Sequence, residues 1–177
     1  IARADAVAFA LEILAGRLAR DLGDAQASVA AFDRALARAG DDAHRCRALV
    51  GIAAGHRLTS AAEAGFAALD AAEPLAQRLH LTREQARIAY LRGALHFARG
   101  DLDACAREHE RALALARETG DELLQAHALS GLADVLYASG RMASARHAFG
   151  ACVDLCERHG ELHFSLPNRN MMGICEF

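Results

Sequence analysis

Small residues recur along the chain at an interval of about 40 residues, and this interval constrains the fold more than any other feature. The recurring positions hold glycine, alanine or serine: Gly93 aligns with Ala53, Ala133 and Gly173, and Gly100 aligns with Ser60 and Gly140. A shift of 37 residues brings in an earlier unit through Gly16 and Gly23. A fixed period of this length indicates stacked supersecondary units, each of which buries its apolar face against its neighbours.

The repeated unit is helical. Only two prolines and 5% aromatic residues occur among 177 residues, and alanine, leucine and arginine, all good helix formers, dominate. The predicted helices are 4–21, 24–39, 42–58, 61–80, 82–99, 101–119, 121–139 and 141–159, with a ninth starting after Pro167. They pair into repeats at 4–39, 42–80, 82–119 and 121–159, with a partial repeat at 161–177. The predicted fold is therefore all-α: one α-α superhelix, or solenoid, spanning residues 1–177.

Two glycines in the stretch LRGALHFARGDLDA, residues 91–104, have different predicted roles. Gly93 is small because a second helix crosses there at an interaxial distance of about 8 Å. Gly100 ends the first helix of its repeat, since a left-handed residue at that place favours glycine. Asp24 and Asp101 follow such glycines and are predicted to cap the next helix. Pro74 inside the fourth helix predicts either a kink or an early end.

Charge and residue types exclude several function classes. A net charge of −3 and a pI near 6.3 give no reason to expect a nucleic acid or a membrane surface as partner. All 20 basic residues are arginine, which excludes a phosphate-binding loop ending in Gly-Lys and a Schiff-base lysine. The five cysteines sit in helical patterns and indicate buried thiols of a reducing, cytoplasmic compartment. A first residue other than Met, and a last residue, Phe177, within a helical pattern, indicate a fragment of a longer protein.

The spacing within one unit resembles the tetratricopeptide repeat. The stretch ALSGLADVLYASGRMASARHAFGACV, residues 128–153, places Leu132, Ala133, Gly140, Ala145 and Phe149 at the pattern positions. The units are about 40 residues long instead of 34, and no first helix contains tryptophan. In this they are similar to the helical C-terminal regions of bacterial signal-transduction ATPases and cyclase-associated ATPases, which the stretches ARIAYLRGALHFARGD and CVDLCERHG resemble most. The resemblance implies a non-catalytic regulatory module, with any catalytic domain outside this chain.

The resemblance also implies a concave groove lined by first-helix side chains. Carried onto this sequence, the groove residues are Arg17, Arg20, Arg47, Arg57, Arg87, Tyr90, Phe97, His127, Asp134, Tyr137 and Asn170. Arginine binds carboxylates through two hydrogen bonds, so the expected ligand is a protein or peptide segment with an acidic group. The alternative is a small molecule that binds the groove and regulates an attached ATPase, cyclase or transcription-factor domain. We expect no cofactor and no metal, because Cys152, Cys156 and His159, although on one helical stripe, fit core and helix-end positions better.

Overall fold

The computed structural model describes residues 2–59 and 61–176, and within these ranges it contains nine helices and no strand. The helices are α1 (Ala2–Asp21), α2 (Ala25–Ala37), α3 (Asp42–His56), α4 (Ala62–Arg78), α5 (Thr82–Ala98), α6 (Leu102–Glu118), α7 (Glu122–Ala138), α8 (Met142–Arg158) and α9 (Leu162–Ile174). The predicted all-α repeat of helix pairs is confirmed. Ser60 and Phe177, which entered the sequence argument, lie outside the described residues.

Proline is tolerated better than the sequence predicted. The ninth helix begins at Leu162, five residues before Pro167, so the predicted start after the proline is wrong. A proline near a helix start removes one backbone hydrogen bond, while the buried side chains of Ser165 and Asn168 anchor this turn. The Asn168 amide also donates to the carbonyl of Phe164 at 2.8 Å. In the fourth helix, α4 runs on past Pro74 to Arg78, which excludes the early end.

The chain divides into two compact units, residues 1–91 (unit 1) and 92–177 (unit 2), and the boundary falls within α5. In unit 1, α2 packs on both α1 and α3, and α3 packs on α4. In unit 2, α7 packs on both α6 and α8, and α8 packs on α9. Each unit thus buries successive helices against their sequence neighbours, as expected for a repeat fold.

In unit 1, an aromatic ring of α2 is held between two glycines of neighbouring helices, an arrangement that we call a ring socket. Phe32 is 2% exposed, and its ring faces Gly16 of α1 and Gly51 of α3. A Cβ added to Gly16 would lie 2.8 Å from the ring, and one added to Gly51 would lie closer still. Because contacts under 3.0 Å force a shift, both positions require glycine for this packing.

Unit 2 has a second ring socket, which holds an imidazole. The buried ring of His109 on α6 faces Gly93 of α5 and Gly131 of α7, and a Cβ at Gly93 would lie 2.7 Å from Nε2. This confirms the predicted helix crossing at Gly93. The aligned Gly173 on α9 is open, because a Cβ added there would meet none of the described atoms within 4 Å.

The turns after α1 and α5 follow the predicted chemistry. Gly100 has φ +76°, the left-handed conformation that ends α5. Asp24 and Asp101 accept hydrogen bonds from the backbone N–H groups of Ala27 and Ala104 at 2.9 and 3.0 Å, which confirms them as helix caps. After α4, His80 adopts φ +51° at the place where later repeats have glycine.

Candidate interaction surface

Unit 1 holds a group of arginine side chains around one buried carboxylate. The carboxylate is that of Glu84, in the first turn of α5, whose side chain is 10% exposed. Its Oε2 accepts a hydrogen bond from Arg87 Nη1 at 2.9 Å, and its Oε1 lies 3.8 Å from Arg47 Nε on α3. A buried carboxylate is stabilised by such partners. Glu84 therefore holds two of the predicted groove arginines in place.

Arg17 on α1 adds a further positive charge beside this carboxylate. Partial burial lowers the pKa of Arg17, and the charges of Arg87 and Arg20 lower it further, while Glu84 raises it. We call Arg17, Arg20, Arg47 and Arg87 the arginine cluster. Within it, Glu84 contacts Arg47 and Arg87, and Asp21 pairs with Arg20 at 2.8 Å. Beyond burial, the charges of Arg87, Arg20 and Arg83 disfavour the charged form of Arg17, and only Glu84 favours it.

The cluster is a local concentration of charge and not a general property of unit 1. Residues 1–91 contain eleven arginines and eleven acidic residues, so the unit as a whole is neutral. Helices α1, α3 and α5 nevertheless place four of these arginines in one region, where like charges repel each other. Such an arrangement favours the binding of an anionic group.

Of the two other predicted residues of unit 1, Arg57 lies apart from the arginine cluster and Tyr90 lies beside it. Arg57 is exposed immediately after the last residue of α3, roughly 15 Å along the helix axis from Arg47. Tyr90 is half-buried on α5, one turn beyond Arg87. The structure brings together Arg17, Arg20, Arg47 and Arg87 and leaves Arg57 at the end of its helix.

Among the predicted groove residues of unit 2, some are exposed and others pack within the unit. Phe97 is 41% exposed and Asn170 is exposed, so both are accessible. His127 packs edge-on against Phe164 with ring centroids 4.5 Å apart. Tyr137 packs against the buried cluster around Phe149. Two of these side chains thus contribute to the packing of unit 2 itself.

Asp134 on α7 is half-buried, and burial raises the pKa of its carboxyl group to about 6. The raised pKa means that the charged form is poorly solvated where it stands. In unit 2, the predicted groove residues therefore include one poorly solvated acidic group and no arginine, the reverse of unit 1.

The cysteines occupy core positions. All five are free and buried, as the sequence predicted. Burial raises the pKa of Cys46 and of Cys105 to about 11, and it raises the pKa of Cys152 as well. His159, on the same stripe as Cys152, instead contacts the carboxylate of Glu122 at 2.8 Å. Among residues 2–59 and 61–176, no group of three His, Cys, Asp or Glu side chains is placed to hold a metal ion.

The residue at the centre of the cluster was not predicted from the sequence. Glu84 has the sequence signature of an ordinary first-turn acid of a helix, and nothing local indicates that Arg47 would reach it from α3. Its role depends on three helices coming together, which residue spacing within one helix does not encode.

Comparison with known proteins agrees with this geometry. Residues 84–158 match the sequence model of the tetratricopeptide repeat family. Among solved structures, the fold is similar to a crystal structure of MamA protein, with a TM-score of 0.55 and 16% sequence identity over 95% of this chain and 86% of that one. The chain is a helical-repeat protein, and its residues 84–158 are similar to the tetratricopeptide repeat. No curated protein matches the sequence.

The family match runs from α5 to the end of α8. In the part of the chain that the structure describes, every helix is too short or too polar to cross a lipid bilayer.

Proposed function

We propose that the chain is a non-catalytic protein-interaction module that binds a partner segment carrying an acidic group. The arginine cluster of unit 1 supports this proposal, because four guanidinium groups share one region around the single buried carboxylate of Glu84. Arginine stays charged at every physiological pH and offers a planar fork of N–H donors to a carboxylate. A ligand carboxylate would relieve the repulsion within the cluster.

Glu84 gives the cluster a defined geometry before any ligand arrives. Its hydrogen bond to Arg87 fixes that guanidinium, whose side chain is 22% exposed. Arg47 is held more loosely at 3.8 Å and is 49% exposed. Side chains that are already ordered lose less conformational entropy on binding, which strengthens the interaction.

The wider setting of this module is also a proposal. The long repeats resemble those of bacterial signal-transduction ATPases, and we propose that the chain is a cytoplasmic, regulatory part of such a signalling protein. Its role there is to dock a partner protein, or a neighbouring domain of the same protein, without performing chemistry. Neither nucleic acid nor a membrane is proposed as the partner, since the arginine cluster is small and unit 1 is neutral overall.

The test uses fluorescently labelled peptide pools of about 12 residues, one rich in Asp and Glu and a matched pool with Asn and Gln. Fluorescence anisotropy at low and high salt measures binding to the purified chain. We expect the acidic pool to bind and the amide pool to bind at least about tenfold more weakly, with salt weakening the acidic pool most. Equal binding of the two pools, or of neither, contradicts the proposal.

The decisive variant is Arg17→Ala combined with Arg47→Ala, since both changes leave the Glu84–Arg87 hydrogen bond intact. We expect this double variant to lose about tenfold or more in affinity for the acidic pool. Because it also removes arginines near the buried Glu84, its melting temperature should fall, and binding is measured at a temperature at which circular dichroism shows the variant to be folded. The matched control is Arg45→Ala, which removes an exposed arginine two residues from Arg47 and on another face of α3. If a metabolite stabilised the chain while neither pool bound, the small-molecule sensing function would be favoured instead.

A further inference from the structure

Helix α7 carries a row of half-buried polar side chains along one of its faces. His127, Ser130, Asp134 and Tyr137 recur at spacings of three, four and three residues, so they lie on the same side of the helix. We call them the α7 polar row. Helix α7 is an internal helix of unit 2, on which both α6 and α8 pack. The row is therefore a feature of the repeat array and not of a chain end.

Asp134 is the acidic member of this row, and the structure gives it no partner. Its carboxylate makes neither a hydrogen bond nor an ion pair within the described part of the chain. Other acidic side chains that are partly or fully buried do have partners. Glu12 lies 3.0 Å from Arg34 Nε. Glu84 accepts a hydrogen bond from Arg87 at 2.9 Å. Asp134 thus differs from the acids that the fold uses for its own ion pairs.

The inner neighbours of Asp134 are thiols, which do not offset its charge. The Asp134 carboxylate contributes to the raised pKa of both Cys105 on α6 and Cys152 on α8, and these thiols are buried. They stay protonated and uncharged at neutral pH. Burial raises the pKa of Asp134 itself to about 6, whereas a nearby cation would have lowered it. At neutral pH the carboxylate is therefore charged, poorly solvated and uncompensated.

The outer side of Asp134 remains open to a ligand. Neither of its carboxylate oxygens is fully buried. Ser130 lies one helical turn before it and Tyr137 one turn after it, and neither hydroxyl makes a hydrogen bond to any described residue. Tyr137 is held in place because it packs against the buried cluster around Phe149. A carboxylate between two hydroxyl oxygens, beside an aromatic ring, suits the N–H donors of a cation.

The other repeats show that packing does not require an acid at this position. The residues aligned with Asp134 at intervals of 40 are Ala54, Ala94 and Ile174, all of them apolar. The repeat thus forms with an apolar side chain at this place, and the carboxylate adds a cost of desolvation that the fold does not recover. Uncompensated charges of this kind are typical of binding and catalytic sites.

We infer that Asp134, with Ser130 and Tyr137 beside it, binds the basic side chain of a partner segment, a lysine or an arginine. The incoming cation forms the ion pair that unit 2 does not supply from its own described residues. The inference rests on the proposed function only in that the ligand is a protein segment. It adds a recognition group in unit 2 whose charge is opposite to that of the group proposed for unit 1.

Fluorescence anisotropy with labelled peptide pools of about 12 residues tests this site at about pH 7.5, where Asp134 is ionised. One pool is rich in Lys and Arg, and the matched pool has Gln at the same positions. We expect the basic pool to bind at least about tenfold more tightly than the glutamine pool. Asp134→Asn, which is nearly the same size, should lose about tenfold of this affinity while its circular dichroism spectrum stays unchanged.

The matched control is Asp154→Asn on α8. Asp154 is exposed, and it has neither a hydrogen bond nor an ion pair to any residue that the structure describes, so the variant changes the net charge equally without touching the row. Its affinity for the basic pool should stay within about twofold of wild type. Equal losses in the two variants would mean that the pool follows the net charge of −3 and would overturn the inference. Equal binding of the two pools by the wild-type chain would overturn it as well.

The same measurements separate this site from the one proposed in unit 1. Arg17→Ala combined with Arg47→Ala should keep its affinity for the basic pool, and Asp134→Asn should keep its affinity for the acidic pool. A chain that binds the basic pool through Asp134 but fails to bind the acidic pool supports the site in unit 2 and contradicts the proposed function. Free lysine amide at about 10 mM tests for a small amine by thermal shift. If it stabilises wild type but not Asp134→Asn, while the basic pool binds no better than the glutamine pool, the assignment to a partner segment is overturned.

Discussion

The two units build the same packing arrangement from different rings. In unit 1 a phenyl ring, Phe32, sits between two glycines, and in unit 2 an imidazole, His109, sits between two glycines. The ring socket needs a flat side chain and two neighbours without Cβ atoms, and it does not need a particular ring chemistry. The repeat therefore requires a flat ring at this position, and that ring can be apolar, as in Phe32, or polar, as in His109. The consequence is a unit 2 whose stability depends on pH through its core.

The two units also differ in the charge of the residues on their first helices. Unit 1 gathers arginines around a buried carboxylate, whereas unit 2 places a half-buried carboxyl group, Asp134, on the corresponding kind of helix. Equivalent first helices thus carry opposite charges on similar backbones. We expect the proposed acidic ligand to depend on unit 1 and the pH response to depend on unit 2.

The largest effect is expected from filling a ring socket. Gly93→Leu should lower the free energy of unfolding of unit 2 by about 3 kcal/mol or more, because even a Cβ at this position would lie 2.7 Å from the His109 ring. Gly173→Leu is the matched control, since the aligned position is open and should change the free energy by less than about 1 kcal/mol. Denaturant unfolding followed by circular dichroism measures both. Equal losses in the two variants would mean that the ring contact is unimportant.

The next effect is a pH dependence carried by His109. Burial lowers its pKa to about 4. The unfolded chain therefore binds the extra proton between about pH 6.5 and pH 4, and stability that is fully present above pH 6.5 is lost as the pH falls through this window. The expected loss is about 3 kcal/mol. His109→Phe, which copies unit 1, should abolish this contribution.

Asp134 acts in the opposite direction. Its folded pKa of about 6 lies above the ordinary value of 3.8, so its contribution is fully present below pH 3.8 and is lost as the pH rises through 6. The expected size is about 2 kcal/mol after allowance for solvent screening. Between pH 4 and pH 6 the two residues nearly cancel. Thermal melting across this range should therefore show that Asp134→Asn loses stability on acidification relative to wild type, whereas His109→Phe gains it. Parallel curves for the three proteins would contradict this account.

The smallest effect concerns a turn that differs between the units. His80 in unit 1 has φ +51°, whereas Gly120 and Gly160, 40 and 80 residues later, occupy the aligned turns of unit 2 with φ +66° and +71°. A left-handed conformation costs a residue with a side chain about 1 kcal/mol relative to glycine. His80→Gly should therefore raise the free energy of unfolding by up to about 1 kcal/mol, and Gly120→His should lower it by a similar amount. Differential scanning calorimetry measures both, and a destabilised His80→Gly would point to an unrecognised role for the imidazole.

Much of the fold could be predicted because its signals are local. The left-handed turn at Gly100 and the cap at Asp101 depend on neighbouring residues, and the sequence identified both correctly. The crossing at Gly93 was also predicted, since small residues repeat there. The second glycine of that ring socket, Gly131, was missed because its aligned positions in other repeats include large residues such as Leu91. The prediction at Pro167 was wrong because one lost hydrogen bond is outweighed by tertiary packing of the turn around it.

The candidate site was less predictable. The resemblance supplied the helix positions, and four predicted arginines do meet, but the carboxylate that organises them was not foreseen. Glu84 is buried only because α1, α3 and α5 bring arginines to it, most of them from outside its own helix. Electrostatic sites assembled from several helices are tertiary properties, and a single sequence read along one helix does not contain them.

The buried thiols provide a native reporter of local opening in each part of the molecule. Cys46 lies in the core of unit 1, and Cys105 and Cys152 lie in different helices of unit 2. A thiol that is buried and holds its proton reacts with a soluble disulfide reagent only when the surrounding helices open. The labelling rate at each cysteine, measured by mass spectrometry, therefore reports how often its own helix pair separates, without any engineered probe.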